Sequence, residues 1–522
     1  MSFNMFSGFW VQAFLTVVCV FVLYTLSKIM KYLTGEVRVL SPNSADSNRR
    51  RIGHLEELLD IFSMEKSGTT NICLLISITS KQSLVHQHVH DALVLLSKRQ
   101  PMLRAVIATM ANGDRYFEIK EINEVITMLD ITTSDVKASD WQSVWFEYTA
   151  KPRGNGLLWR VVILQEEFMP DTKDYANTLM FNFNHACIDG VCSVKFCEQF
   201  LNYMNELGNG TTTADEEISS LDLLPYFHEI ITQGRFWHSL FNFMLAYCDL
   251  RLILKFCMEK MFKRLIQKKP TNPYHAQFPR NSELSTAVPG RLSVKVFTEK
   301  ETKGILQVCK VNDSTVTGAI AAAAHLAFCK LIANIGPDQP NSAMELGLPF
   351  SINAQRFCDP KPHKEYLGNF VYGCENIYMK YLAGDTADFW KLARENTQRI
   401  KDFVKKEAYV SDITVVSGLL EPRELFNLLA GDDSVFAKAG CNFISSVGCF
   451  NFGNHQPETY ILHECFINAV NHGSLYTFFH FIHTINGKMT WQITTNDAVH
   501  TKHAEKFANL CFSMLLAKCP KM

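Results

Sequence analysis

The stretch Leu179 to Gly190 reads L-M-F-N-F-N-H-A-C-I-D-G, and the rest of the chain is organised around it. Taken with a period of two, Leu179, Phe181, Phe183 and His185 share one face of a strand, and Met180, Asn182 and Asn184 share the other. Asp189 and Gly190 mark a turn. Beyond it Val191, Val194, Phe196, Phe200, Met204 and Leu207 recur at helical spacing. Strand, turn and helix in that order are one unit of an α/β layer. His185 ends an apolar row, where partial desolvation disfavours the imidazolium and leaves a neutral nitrogen able to take a proton near pH 7. A satisfied core histidine would leave the same pattern, so the stretch alone does not separate a base from a packing residue.

The whole chain sets the frame. Its 522 residues are too many for one ordinary core, so two domains or two large subdomains are expected. With 47% hydrophobic and 20% charged residues the composition is globular. A formal charge of -1 without a long basic run gives no nucleic-acid footprint. The 16 cysteines are scattered without a C-x-x-C pair, which favours reduced thiols over a disulfide framework. His86, His88 and His90 fall on a helix expected over Leu84–Leu96 and spread around its surface, so they are read as a solvated face and no metal site is expected.

Met5 to Leu26 is almost wholly apolar and long enough to cross a bilayer as a helix. No positive leader precedes it, and Lys28 and Lys31 follow it, so a retained single-pass anchor is expected, at the endoplasmic reticulum and with the body of the protein cytosolic. In the opposite topology Asn209-Gly-Thr and Asn312-Asp-Ser would be glycosylation acceptors. Strands are expected over Ile72–Ile78, Leu103–Ile107 and Leu157–Leu164, with a helix over Ile52–Met64. Phe236 to Leu265 mixes Phe, Leu and Met with seven charged residues and reads either as an interfacial membrane helix or as an amphipathic helix on the domain. Lys268 to Arg280, with three prolines, reads as a linker. In the second half Thr298 and Glu301 stand at capping-box spacing, and an Ala-rich helix follows Thr315. Strands are expected at Met344–Phe350, Phe443–Val447 and Tyr476–Ile485, and Asn486-Gly487 signals a hairpin into Lys488–Thr495. A last helix spans about Lys502 to Lys518. The expected division is an anchor over 1–34, a lobe over 35–268, a linker over 269–290 and a second lobe over 291–522.

H-A-C-I-D-G at His185–Gly190 resembles the H-x-x-x-D-G motif of the CoA-dependent acyltransferase superfamily, which includes chloramphenicol acetyltransferase, plant acyltransferases, alcohol acetyltransferases and peptide-synthetase condensation domains. P-M-L-R at Pro101–Arg104 resembles the family's segment after its first long helix. Leu346–Phe350, S-I-N-A-Q-R-F-C-D-P and Gly368-Asn369-Phe370 resemble its strand, Arg-bearing loop and G-N segment, and Ser445-Ser446-Val447-Gly448 resembles a strand of the alcohol acetyltransferase branch. Asn451-Phe452-Gly453-Asn454 lacks the Asp, Trp and final Gly of the plant D-F-G-W-G motif, so a plant-type acceptor is not inferred.

The resemblance implies two chloramphenicol acetyltransferase-like α/β lobes with an active-site tunnel between them. It implies acyl-CoA, by the branch's habit acetyl-CoA, as cosubstrate and no bound cofactor or metal. In this chain it casts His185 as general base and Asp189 as an organiser of the turn. It offers Gly190, Ser446 and Thr317 as oxyanion or substrate contacts and Arg356 as the partner of Asp189, although Arg356 stands one position out of register with the plant pattern. Together with the anchor it points to a lipophilic alcohol acceptor, with membrane lipid as surroundings and a monomer as the working state. The same base would serve an amine acceptor, and a silent member that binds or transfers lipid is the competing reading.

Overall fold

The computed structural model describes residues 48–152, 154, 156–233, 255–257, 259–260, 263–264, 267, 271–278, 290–335, 344–374, 378–381, 388–405, 419–430, 438, 440–452, 459–472 and 476–519. The expected anchor at Met5–Leu26, most of Phe236–Leu265, and Gly453 and Asn454 lie outside those residues.

The fold is mixed α/β with two sheet-containing lobes. In the first sheet Ile72–Ser80 and Trp159–Gln165 flank the strand Asp174–Phe183, both antiparallel to it, and Ile131–Lys137 runs parallel to Trp159–Gln165 at the edge. The second sheet follows the order Val371–Cys374, Phe350–Asn353, Gly440–Phe450, Tyr476–Ile485, Lys488–Thr495, Leu292–Val296. Its inner pairs, Phe350–Asn353 with Gly440–Phe450 and Gly440–Phe450 with Tyr476–Ile485, are parallel. The hairpin expected at Asn486-Gly487 is present, with φ of 48° and 79° at the two turn residues, the left-handed pair that a tight two-residue turn requires. The Thr298–Glu301 capping box also forms, at the start of the helix Glu299–Val311.

One strand joins the lobes. Ile461–Ala469 belongs by sequence to the second half, yet it pairs antiparallel with Ile72–Ser80 and forms the edge of the first sheet. The two sheets are therefore not built from contiguous halves of the chain. An edge strand leaves a row of carbonyls without a neighbouring strand, and buried carbonyls need donors. Side chains of the second sheet supply them: His483 Nε2 at 2.8 Å to Cys465 O, Gln492 Nε2 at 2.9 Å to Ile467 O and Thr494 Oγ1 at 3.3 Å to Ala469 O. Asn468 adds a cross-link, accepting from Trp145 Nε1 and donating to Gln492 Oε1, both at 2.9 Å.

Helices cover the sheets. Phe196 and Phe200 of the helix Gly190–Gly208 pack edge-on against Phe181 of the central strand, and Phe196 does the same against Phe183. In the second lobe the helix Val316–Ile335 is the buried centre, with Ala319, Ala321, Ala322, Ala323, Ala324 and Ala327 wholly inside. Among the described residues it is the one helix long and apolar enough to cross a membrane, and here it is packed into the core. Within the expected linker, Pro273–Gln277 is a short helix capped by the Asn272 side chain.

Candidate active site

The central strand stops at Phe183, and the chain folds into a turn that carries His185. Asn184 makes the turn, its Oδ1 accepting the Ala186 N–H at 2.9 Å and its C=O the Cys187 N–H at 3.1 Å. The turn ends at Asp189, which caps the helix Gly190–Gly208 by accepting the Cys192 N–H at 2.8 Å. The other carboxylate oxygen of Asp189 accepts the Phe370 N–H at 2.8 Å, and the Asp189 N–H donates to Gly368 O at 3.2 Å. Asn369 Nδ2 donates to the carbonyl of His185 at 2.8 Å. The Gly368-Asn369-Phe370 segment of the second half is thus bolted to the turn by three bonds.

This corrects the expected partner of Asp189. Two backbone amides take its carboxylate, while Arg356 is exposed and donates from Nε to Asn353 O at 3.2 Å. Amides in fixed positions on two segments satisfy a buried carboxylate and hold those segments together, which a flexible cation would do less rigidly.

His185 Nδ1 lies 2.8 Å from the carbonyl of Ile188. A carbonyl only accepts, so Nδ1 carries the hydrogen and Nε2 is left with its lone pair. Burial pushes the imidazole pKa below its ordinary value, against the pull of the Asp189 charge and the Ile188 bond. The ring is therefore neutral at physiological pH.

His185 and Gly190 line a cavity between the lobes that encloses about 1210 Å³ of empty space, its open mouth included. Its first-lobe wall is Leu55, Leu58, Leu59 and Phe62 of the helix His54–Glu65, with Thr69, Thr70 and Ile72. Facing them stand Phe443, Ser445 and Val447 of one strand, Tyr476, Phe479 and Phe481 of the next, and Ser351, Val371, Gly373 and Leu429. The joining strand contributes Ile467 to Ala469, followed by Val470 and Asn471. Apolar side chains make up most of this surface, and Ser445, which accepts from Ser351 Oγ at 3.1 Å, is among its few hydroxyls. Gly190 approaches the facing strand closely: a Cβ there would stand 3.2 Å from Val447 Cγ2, so that side chain would have to give by a few tenths of an ångström.

Two expected contacts are displaced. Strand alternation puts Phe443, Ser445 and Val447 toward the cavity, whereas Asn442 and Ile444 are wholly buried and Ser446 shares their parity rather than lining it. Ser445 lines the cavity and Ser446 does not, and which parity of the strand faces the cavity is set by the packing of the two sheets. Thr317 lies in the first turn of the helix Val316–Ile335 and is not among the lining residues. Among the described residues no group of three or more His, Cys, Asp or Glu could hold a metal. His88 instead meets the Tyr460 hydroxyl at 2.9 Å, and His90 meets Asp91.

A model of the alcohol acetyltransferase family matches residues 116–515, a span that contains the histidine turn and the facing strands. The chain belongs to the alcohol acetyltransferase family. It is an acyltransferase, and acyl-CoA is its cosubstrate. Among solved structures, this family member resembles the trichothecene 15-O-acetyltransferase of Fusarium sporotrichioides, with 12% identity, 92% of this chain and 97% of that one covered, and a TM-score of 0.65. It also resembles the cyclization-docking bidomain of a Sorangium cellulosum peptide synthetase, with 12% identity, coverage of 95% and 90%, and a TM-score of 0.57. Polyketide synthase associated protein 5 of Mycobacterium tuberculosis follows at 10% identity, coverage of 90% and 97%, and a TM-score of 0.55. At these identities the likeness is one of fold. No curated protein matches the chain.

Proposed function

We propose that the protein is a membrane-anchored O-acetyltransferase that moves an acetyl group from acetyl-CoA to a lipophilic alcohol, with His185 as general base. The observation that carries this reading is the His185 ring, neutral and held by Ile188 O so that Nε2 is left for a substrate, at the wall of a mainly apolar cavity. Nε2 takes the hydroxyl proton as the alcohol oxygen attacks the thioester carbonyl. The carbonyl becomes a tetrahedral oxyanion, then the C–S bond breaks, and the proton passes from Nε2 to the departing thiolate. Atoms balance as ester plus CoA thiol, with no acyl-enzyme.

The oxyanion needs donors fixed in advance. Gly190 N–H, an amide in the first helical turn without an intrahelical acceptor, and the Ser445 hydroxyl are the donors proposed. Asp189 takes no proton; it holds the turn. The lipophilic acceptor is supported by the Leu55, Leu58, Leu59, Phe62 wall and the Phe443, Phe479, Phe481 wall, where burying a Leu- or Phe-sized group gains about 1.5–3 kcal/mol. The apolar Met5–Leu26 run supports anchoring beside a bilayer, with the body cytosolic at the endoplasmic reticulum.

The test is ester formation by microsomes containing the protein, given labelled acetyl-CoA and a panel of sterols, fatty alcohols, terpenoids and water-soluble alcohols. Transfer to apolar members is expected. Transfer confined to soluble alcohols overturns the acceptor class, and lipid binding with no ester from any of them would favour a silent lipid-binding protein. Protease added to sealed microsomes should digest the body, and protection would reverse the topology.

A further inference from the structure

We propose that Asp60 is a positioning residue for His185, acting through Asn184 to hold the base in register with the acceptor wall. The inference rests on the reading of His185 as base. Asp60 sits on the helix His54–Glu65 and is wholly buried. Its Oδ1 accepts from Asn184 Nδ2 at 2.8 Å, and its Oδ2 accepts from the Arg115 guanidinium. Asn184, 2% exposed, directly precedes His185, and its own Oδ1 accepts the Ala186 N–H on the far side of the histidine. Both ends of the Asn184 amide are thereby occupied, one by the turn and the other by Asp60.

Leu55, Leu58, Leu59 and Phe62 of the same helix line the cavity. One rigid element therefore carries the apolar wall against which an acceptor lies and the carboxylate that fixes the histidine turn. A displacement of about 1 Å between reacting groups costs up to 100-fold in rate, so this link sets turnover without touching substrate. The second half grips the turn independently, through Asn369 on the His185 carbonyl and Phe370 on Asp189.

Each oxygen of Asp60 has its own donor, which makes the role testable. Asp60→Asn has one oxygen for those two donors: turned to the Arg115 guanidinium, it sets its own NH2 against the NH2 of Asn184. It should unfold at lower urea and lower kcat by roughly 10- to 100-fold, with the alcohol KM changed less than about threefold. Asn184→Ala loses the link and should lower kcat by roughly 10- to 100-fold with the alcohol KM changed less than about threefold. The decisive variant is the exchange Asp60→Asn with Asn184→Asp, in which the new amide donates to the new carboxylate and the latter still accepts from Ala186. It should recover most of the turnover that Asn184→Ala loses. The proposal is overturned if Asn184→Ala keeps wild-type kcat, or if the folded exchange variant is as slow as Asn184→Ala. His185→Ala, measured alongside, keeps the two readings apart: normal turnover there removes the base, whereas a slow His185→Ala with a normal Asn184→Ala removes only the Asp60 link.

Discussion

Asp189→Asn should damage the protein as a structural joint rather than as an acid. The wild-type carboxylate accepts the Cys192 and Phe370 amides, one on each oxygen, both at 2.8 Å, and is 2% exposed. An asparagine presents one oxygen and one NH2 group, so one of the two amides faces a donor and is left buried and unpaired. Such an orphan costs about 1–3 kcal/mol, and the surviving bond loses its charge assistance, so about 2–5 kcal/mol of stability should disappear. The Gly368–Phe370 segment then loosens from the His185 turn, and kcat should fall by roughly 10- to 100-fold. The sign of the pH effect is also fixed. The Asp189 charge holds the His185 pKa up against burial, so its removal moves the acid limb of kcat/KM to lower pH. Urea unfolding, single-turnover transfer from labelled acyl-CoA and a pH–rate profile check the three effects. A variant within about 1 kcal/mol of wild type and with unchanged turnover would refute the organiser role.

Ser445→Ala should lower kcat by about 10- to 1000-fold with little change in KM, as loss of an oxyanion donor does, while Ser446→Ala stays close to wild type; equal kinetics of the two would remove Ser445 from the mechanism. Gly190→Ala places a methyl 3.2 Å from Val447 Cγ2 and should slow transfer, and Val447→Ala in the same chain should restore part of the rate, which the steady-state kcat of the double variant checks. Buried His480 and His483 are pushed down to about 3 and about 4 by burial, with nearby His325 adding to the effect on His480. The unfolded chain, with histidines near 6.5, binds more protons below that pH, so stability is full above about 6.5 and falls as pH drops toward 4, by on the order of 2 kcal/mol per histidine at pH 5. Equal urea midpoints at pH 7.5 and pH 5 would contradict that linkage.

Much of the fold was legible because its signals are local. Phe181 and Phe183 alternate into a wall of helix phenylalanines, Asn486-Gly487 makes its turn, and Thr298 finds Glu301. The joining strand Ile461–Ala469 was not recognised, because I-L-H-E-C-F-I-N-A alternates poorly and its role depends on partners hundreds of residues away at Ile72–Ser80. His185 was found from its place beyond an apolar strand, and Asp189 from the turn. The partner of Asp189 was not found, because a sequence shows side chains and the partners are the backbone amides of Cys192 and Phe370. Ser446 was named and Ser445 was not, because only the packing of the two sheets decides that the parity of Phe443, Ser445 and Val447 faces the cavity. Asp60 carried no sequence signal at all, since its link to Asn184 spans 124 residues.

The most direct test of the account is the rate of ester formation by His185→Ala against wild type, at saturating acyl-CoA and alcohol, on protein shown by urea unfolding to be equally folded. Loss of a positioned general base predicts a fall of about 100- to 10,000-fold in kcat. Turnover within about threefold of wild type would contradict the assignment of His185 as the base.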